Sequence, residues 1–220
     1  MANDRFVNNS ISEFQDVNRN PIFGYEDSPL LTLEEAVENL VPLVPRLTDY
    51  VRTATKKCNR HSSLTRDEAA AIYLYSMSTP FFSLLNETLR AKERHALKPW
   101  FPFLKLFMKA LEKLPSTKET VWRGVHGDVG SIFDDKDVHI WWSVNSCSPD
   151  LRCVQMYLGD KGTLFAIHAV DAKDISVFST FPEEREILLM PGTRLRAKGG
   201  FLKHEDKLFI VDLEEVNPQW

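Results

Sequence analysis

The spacing of apolar positions changes character partway along the chain. After a polar opening that runs through "NPIFGYEDSP", Thr32-Leu33-Glu34-Glu35 has the Thr-x-x-Glu form of a capping box, and Ala36, Val37, Leu40, Leu43, Val44 and Leu47 follow at helical spacing. Pro42 and Pro45 fall inside that run and predict that it splits into short helices. A second capping box, Thr65 to Glu68, opens the helical run "AAAIYLYSM" with an acidic first turn. Two further amphipathic stretches, "FFSLLNETLRAKERHALKPW" and "FPFLKLFMKALEKL", are separated by Pro99 and Pro102.

From Thr120 onward the period shortens to short β-like pieces punctuated by Gly, Pro, Asp and Asn. Strands are predicted at 120–126, 139–146, 163–170, 184–190 and 207–213, each rich in Val, Ile, Phe or Trp. "DVGSIFDDKD" reads as a loop and "DLRCVQMYL" as a short helix. Helices first and strands afterwards predict an α+β fold and not alternating βαβ units. The expected organisation is a polar arm over 1–20 and one domain over 21–220, mainly helical to 119 and mainly strands from 120.

Length and composition narrow this picture. With 220 residues, 43% of them hydrophobic, the chain can bury a core of its own. A net charge of -4 and no long Lys/Arg run leave no footprint for nucleic acid. Cys58, Cys147 and Cys153 lack CxxC spacing, which argues against a disulfide framework and against a metal site. The start "MANDRFVNNSISEF" has no basic-then-apolar leader, and Pro and Lys break the apolar runs well short of the ~20 residues a membrane span needs. An intracellular, cytoplasmic protein without a membrane partner is expected. There is no internal repeat, no GxGxxG and no P-loop.

Three short motifs carry candidate chemistry. In "TVWRGV", Arg123 sits within an apolar strand pattern, where a guanidinium needs a partner, either a carboxylate or a ligand phosphate. In "WWSVNSCSP", an aromatic strand runs into Ser146-Cys147-Ser148, whose hydroxyls can bond a carboxylate or a sugar. In "FPEEREILL", strand alternation predicts Glu184 and Glu186 on one face with Arg185 opposite, a pairing suited to acid/base work or to stabilising a cation. Each has a bland reading of its own: an outward salt bridge, a polar strand end, a solvated strand mouth.

Strand Arg, aromatic strand ending in Ser-x-Ser, then Glu-x-Glu entering an Ile-Leu-Leu strand: in this order the motifs resemble the R-S-E signature of arginine-specific mono-ADP-ribosyltransferases. "PIFGYEDSPLLTLEEAVENLVP" and "LTRDEAAAIYLYSM" resemble the helical half of eukaryotic, rotifer-type members, and the likeness runs over roughly residues 20 to 216. The resemblance implies a helical half packed on a two-sheet mixed β core that encloses a cleft for NAD+, the co-substrate. It assigns Arg123 and Gly124 to the dinucleotide, together with Ser146, Ser148 and Tyr157, the last as a ring to cover the nicotinamide. It makes Ser146 the serine that orders the site, with Cys147 in place of the usual Thr. Glu186 becomes the catalytic glutamate on the nicotinamide ribose, Glu184 the group that activates an acceptor guanidinium, and Phe181 an aromatic of substrate recognition. The implied partner is an acceptor protein presenting arginine. Hydrolysis of NAD+ by the same residues, or binding without turnover, stays open; a glycoside hydrolase would need its two carboxylates ~5 to 9.5 Å apart across a cleft.

Overall fold

A computed structural model describes residues 4–8, 22–59, 63–129, 132–133, 138–159, 161–199, 202–204 and 208–216. The described residues divide into two compact units. One takes in 22–115 together with Ile175–Pro182; the other takes in 4–8, Ser116–Asp174 and 183–216. The fold class is α+β, with every described α-helix but Leu151–Leu158 ahead of nearly all the strands.

The helical unit follows its caps. Leu33–Ala36 and Arg66–Ser76 both begin on capping boxes, in which Thr32 and Thr65 accept from the N–H of Glu35 and Glu68 while those carboxylates accept from the threonine N–H. The run broken by Pro42 and Pro45 splits as expected: Leu33–Ala36, a 3₁₀ turn at Glu38–Leu40, then Leu47–Lys57. Pro99 lies inside the 3₁₀ stretch Arg94–Trp100 and Pro102 at the start of Phe101–Glu112, where a missing N–H costs nothing. The two prolines thus shape the entry to one helix and do not separate two. Aromatic edges fill the interior: Phe81 meets Phe103 at 4.8 Å between centroids, and Tyr75 meets Phe107 at 5.2 Å. Glu68, 1% exposed, receives the Lys113 ammonium at 2.6 Å. The segment Ile175–Pro182 is tied in by Ser76, whose hydroxyl accepts from the Thr180 N–H at 2.8 Å.

The other unit holds two sheets. The larger has seven described strands: β1 (Val7–Asn8), β3 (Thr120–Val125), β4 (Val138–Trp141), β6 (Gly162–His168), β9 (Thr193–Ala197), β10 (Leu202–His204) and β11 (Leu208–Glu215). Their order is β1-β3-β6-β11-β9-β4, with β10 also on β11. Only the β1/β3 and β6/β11 pairings are parallel among the described strands. The smaller sheet runs β2 (Ser116–Thr117), β7 (Ala172–Asp174), β8 (Ile187–Leu189), β5 (Asn145–Cys147). Trp122 and Ser148 exchange backbone hydrogen bonds of 2.7 and 3.0 Å and so stitch the end of β5 to β3. Val121, Val125, Trp141, Phe165, Ile187, Leu195 and Val211 are among the residues of one buried cluster.

Two predicted strands are corrected. Residues 139–146 do not form one strand: Val138–Trp141 joins the larger sheet and Asn145–Cys147 the smaller, because the chain turns between them, with the Asn145 amide donating to the Ser143 carbonyl at 3.0 Å. The strand over 184–190 begins only at Ile187. Pro182 starts a 3₁₀ turn, Pro182–Glu184, and Arg185 takes the left-handed conformation at φ 49°. The strands at 120–126 and 163–170 form within a residue or two of their predicted ends. The 207–213 strand is Leu208–Glu215, with Lys207 outside the described residues. "DLRCVQMYL" forms the helix Leu151–Leu158, capped by the Asp150 side chain. Most of the "DVGSIFDDKD" loop and of the 1–20 arm lies outside the described residues. In the part of the arm that is described, 4–8, Arg5, Phe6 and Val7 are buried, and Phe6 and Val7 pack with Val154, Leu158 and Leu164.

Candidate active site

The strand face that β3 turns to the main core carries Val121, Arg123 and Val125, so alternation drives a guanidinium into an apolar layer. Arg123 is 3% exposed, and its Nη1 donates to the Ser146 carbonyl at 2.6 Å and to the Arg5 carbonyl at 2.9 Å. Carbonyls thus take part in what the sequence leaves to a carboxylate or phosphate. Arg123 holds two chain segments against β3 at once.

Those segments carry the charged groups. Arg5 Nη1 donates to Glu186 Oε2 at 2.5 Å, and Arg5 Nη2 to Glu184 Oε2 at 2.6 Å. The Arg5 and Glu186 side chains are 0% exposed and that of Glu184 12%. The other Glu184 oxygen, Oε1, accepts from the Tyr157 hydroxyl at 2.7 Å. The Ser148 hydroxyl donates to the Glu184 carbonyl at 2.8 Å and accepts from the Asp150 N–H at 3.1 Å, which anchors the 3₁₀ turn to the end of β5. Glu184 and Glu186 therefore converge through a turn and a left-handed residue, and not through strand alternation. The left-handed Arg185 points away: it is exposed and lies 4.0 Å from Glu119. Glu183 is exposed as well.

The local electrostatics follow from burial. Burial first, then the hydrogen bond to the Glu184 carboxylate, pushes the Tyr157 phenol well above its ordinary value and keeps it a donor. Burial first, then the Glu184 charge, pushes the Cys153 thiol up to about 11, so it stays protonated and unreactive at neutral pH.

Of the residues singled out in the sequence, Arg123, Ser146, Ser148, Tyr157, Glu184 and Glu186 come together. Gly124 faces the other way on β3. A Cβ there would meet Val7 Cγ2 at 3.1 Å and Leu158 Cδ1 and Val154 Cγ1 at 3.4 Å, so the glycine makes room for β1 and the helix beside it. Phe181 belongs to the helical unit, where its N–H donates to the Ser179 hydroxyl at 3.2 Å. His126 is exposed, and His168 pairs with Asp212 at 2.8 Å. Arg5 is the residue sequence reasoning missed; the apolar pair Phe6-Val7 beside it, in an otherwise polar stretch, is the signal that marks a docked segment. Among the described residues no group of three or more His, Cys, Asp or Glu is placed to hold a metal ion, and no helix is long and apolar enough to cross a membrane.

Comparison with known proteins fits this arrangement. Exoenzyme S from Pseudomonas aeruginosa, solved with human 14-3-3 protein beta and bound to carba-NAD, superposes with a TM-score of 0.63 at 17% identity, covering 84% of this chain and 88% of that one. The ADP-ribosyltransferase Vis from Vibrio splendidus, in complex with agmatine, gives 0.61 at 19% identity over 89% and 91%. The eucaryotic mono-ADP-ribosyltransferase ART2.2 gives 0.59 at 17% identity over 86% and 85%. These likenesses are of fold. No curated protein matches the sequence. The family model of NAD:arginine ADP-ribosyltransferases matches residues 41–219, and the chain accordingly belongs to that family of NAD-dependent ADP-ribosyl-transferring enzymes.

Proposed function

We propose that the protein transfers ADP-ribose from NAD+ to arginine side chains of acceptor proteins and releases nicotinamide. The observation that carries the arginine reading is the convergence of Glu184 and Glu186 on one guanidinium: this pair of carboxylates already holds an arginine side chain at 2.5 and 2.6 Å. Agmatine, the molecule bound by the Vis neighbour, is itself a guanidino compound and a suitable simple acceptor.

In this reading Glu186 serves the ribose. As the N-glycosidic bond to nicotinamide breaks, positive charge develops on the sugar, and a fixed carboxylate in a water-poor setting stabilises that state more than the ground state. Glu184 serves the acceptor. A guanidinium has a pKa above ~12 and attacks poorly until a carboxylate orients it and accepts its proton. A carboxylate offers about four lone-pair sites, and Arg5 and Tyr157 each take one from Glu184, which leaves room for an incoming donor. Arg123 and Gly124 on β3, with Ser146 and Ser148 at the end of β5, are assigned to the dinucleotide. Tyr157 adds its ring, and Phe181 contacts the acceptor.

The reaction is tested with labelled NAD+ and the full chain, once with agmatine and once in water alone. Labelled agmatine is the expected product. Free ADP-ribose at the same rate with and without agmatine would make the protein an NAD+ glycohydrolase, and no release of nicotinamide in either arm would sink the enzymatic reading.

A further inference from the structure

Arg5 lies outside the 41–219 family match, yet its guanidinium bonds both glutamates. We infer that Arg5 is a positioning residue of this site: its guanidinium holds Glu184 and Glu186 at a fixed separation and balances their charge where water is excluded. The inference rests on the roles proposed above for the two glutamates.

The geometry argues for it in three steps. A guanidinium is a rigid planar fork, so when Nη1 serves one carboxylate and Nη2 the other, the spacing between the two acceptor oxygens is set by the fork itself. Two carboxylates brought together in a buried setting repel, and a cation between them offsets that repulsion. Lastly, the segment bearing Arg5 is part of the core and not a loose tail. Phe6 is 0% and Val7 1% exposed, β1 pairs with β3 through Val7 and Gly124, and the Arg5 carbonyl accepts from Arg123. Among the described groups facing the carboxylates are Arg5, the Tyr157 hydroxyl and, on the same helix, the protonated Cys153, while Arg123 donates to the Arg5 and Ser146 carbonyls.

The test uses full-length Arg5→Lys, Arg5→Gln and Arg5→Ala, with two readouts. The first is turnover of NAD+ with agmatine across pH. A loss of about 10²-fold in kcat is expected for Gln and Ala, with KM for NAD+ changed much less, the acid limb moved to higher pH, and part of the rate restored by Lys. The second is thermal unfolding between pH 5 and pH 8. Without the cation the buried carboxylates favour protons in the folded state, so the Arg5→Gln deficit should be larger at pH 8 than at pH 5. A melting deficit independent of pH, with an unmoved pH profile, would mean a packing role only and overturn the inference. Faster turnover by Arg5→Ala would overturn it in the other direction, making the segment a plug. If the wild type turns over no NAD+, the proposed function fails by itself, and the pH dependence of melting still decides the role of Arg5.

Discussion

Arg5 and Glu186 stand 181 residues apart in sequence and meet at 2.5 Å with neither side chain exposed. Glu186→Gln keeps the shape and one acceptor oxygen for Arg5 while removing the charge. Nicotinamide release should fall by about 10²–10³-fold. A continuous assay of NAD+ cleavage, beside a melting curve to confirm the fold, checks this.

Glu184→Gln should separate the two half-tasks. The amide keeps one acceptor oxygen for Arg5 and can donate its NH2 to the Tyr157 oxygen, but it cannot take a proton from a guanidinium. Transfer to agmatine is expected to drop by about 10²-fold while hydrolysis of NAD+ in water continues at a similar rate. Equal loss of both activities would remove the division of labour between the glutamates.

Tyr157→Phe deletes the hydroxyl that donates to Glu184 Oε1. A single such bond is worth about 1 kcal/mol, so kcat/KM for transfer should fall about fivefold. Burial, followed by the bond to Glu184, raises the phenol in the native state; its contribution to stability is whole below the ordinary tyrosine range and is lost as pH climbs from there through the raised native value. The wild type and the variant should therefore converge in melting temperature at strongly alkaline pH.

Gly124→Ala tests how far the site depends on β1. The added methyl would press on Val7 Cγ2, at 3.1 Å, and should cost about 1–3 kcal/mol with a further loss of activity as Arg5 shifts. Adding Val7→Ala should recover part of both, so that the double variant is less impaired than the sum of the singles. Urea unfolding of the four proteins measures the coupling.

In the helical unit, Lys113→Met removes the cation at 2.6 Å from Glu68. Burial raises the Glu68 carboxyl, but the Lys113 bond and the cap at Thr65 outweigh it and the net shift is downward. The pair therefore stabilises above the ordinary glutamate range and fades as pH falls through the lowered native value. With Lys113 partly exposed, a deficit of about 1–2 kcal/mol is expected at pH 7, shrinking toward pH 3.

How much of this was legible in the sequence depends on the range of the forces involved. The helices were readable because Thr32 and Thr65 announce their caps locally and Pro42 and Pro45 interrupt locally. Arg123 was readable because a charge among Val121, Trp122 and Val125 is anomalous on its own strand. Strand alternation predicts the convergence of Glu184 and Glu186 for a reason that fails, because Pro182 and the left-handed Arg185 make a turn there. For Arg5 only half is legible: Phe6-Val7 marks a docked segment, but "NDRFV" does not say that it pairs with β3 or that Arg5 meets two carboxylates some 181 residues further on.

That pairing has a consequence for how the protein is made. Arg5 is synthesised 181 positions ahead of its partner Glu186. Contacts so distant along the chain form late, because a long loop must close before they return any free energy. The charged heart of the site therefore waits for Glu186, and the segment that bears Arg5 has to be kept free of other partners until that residue is made.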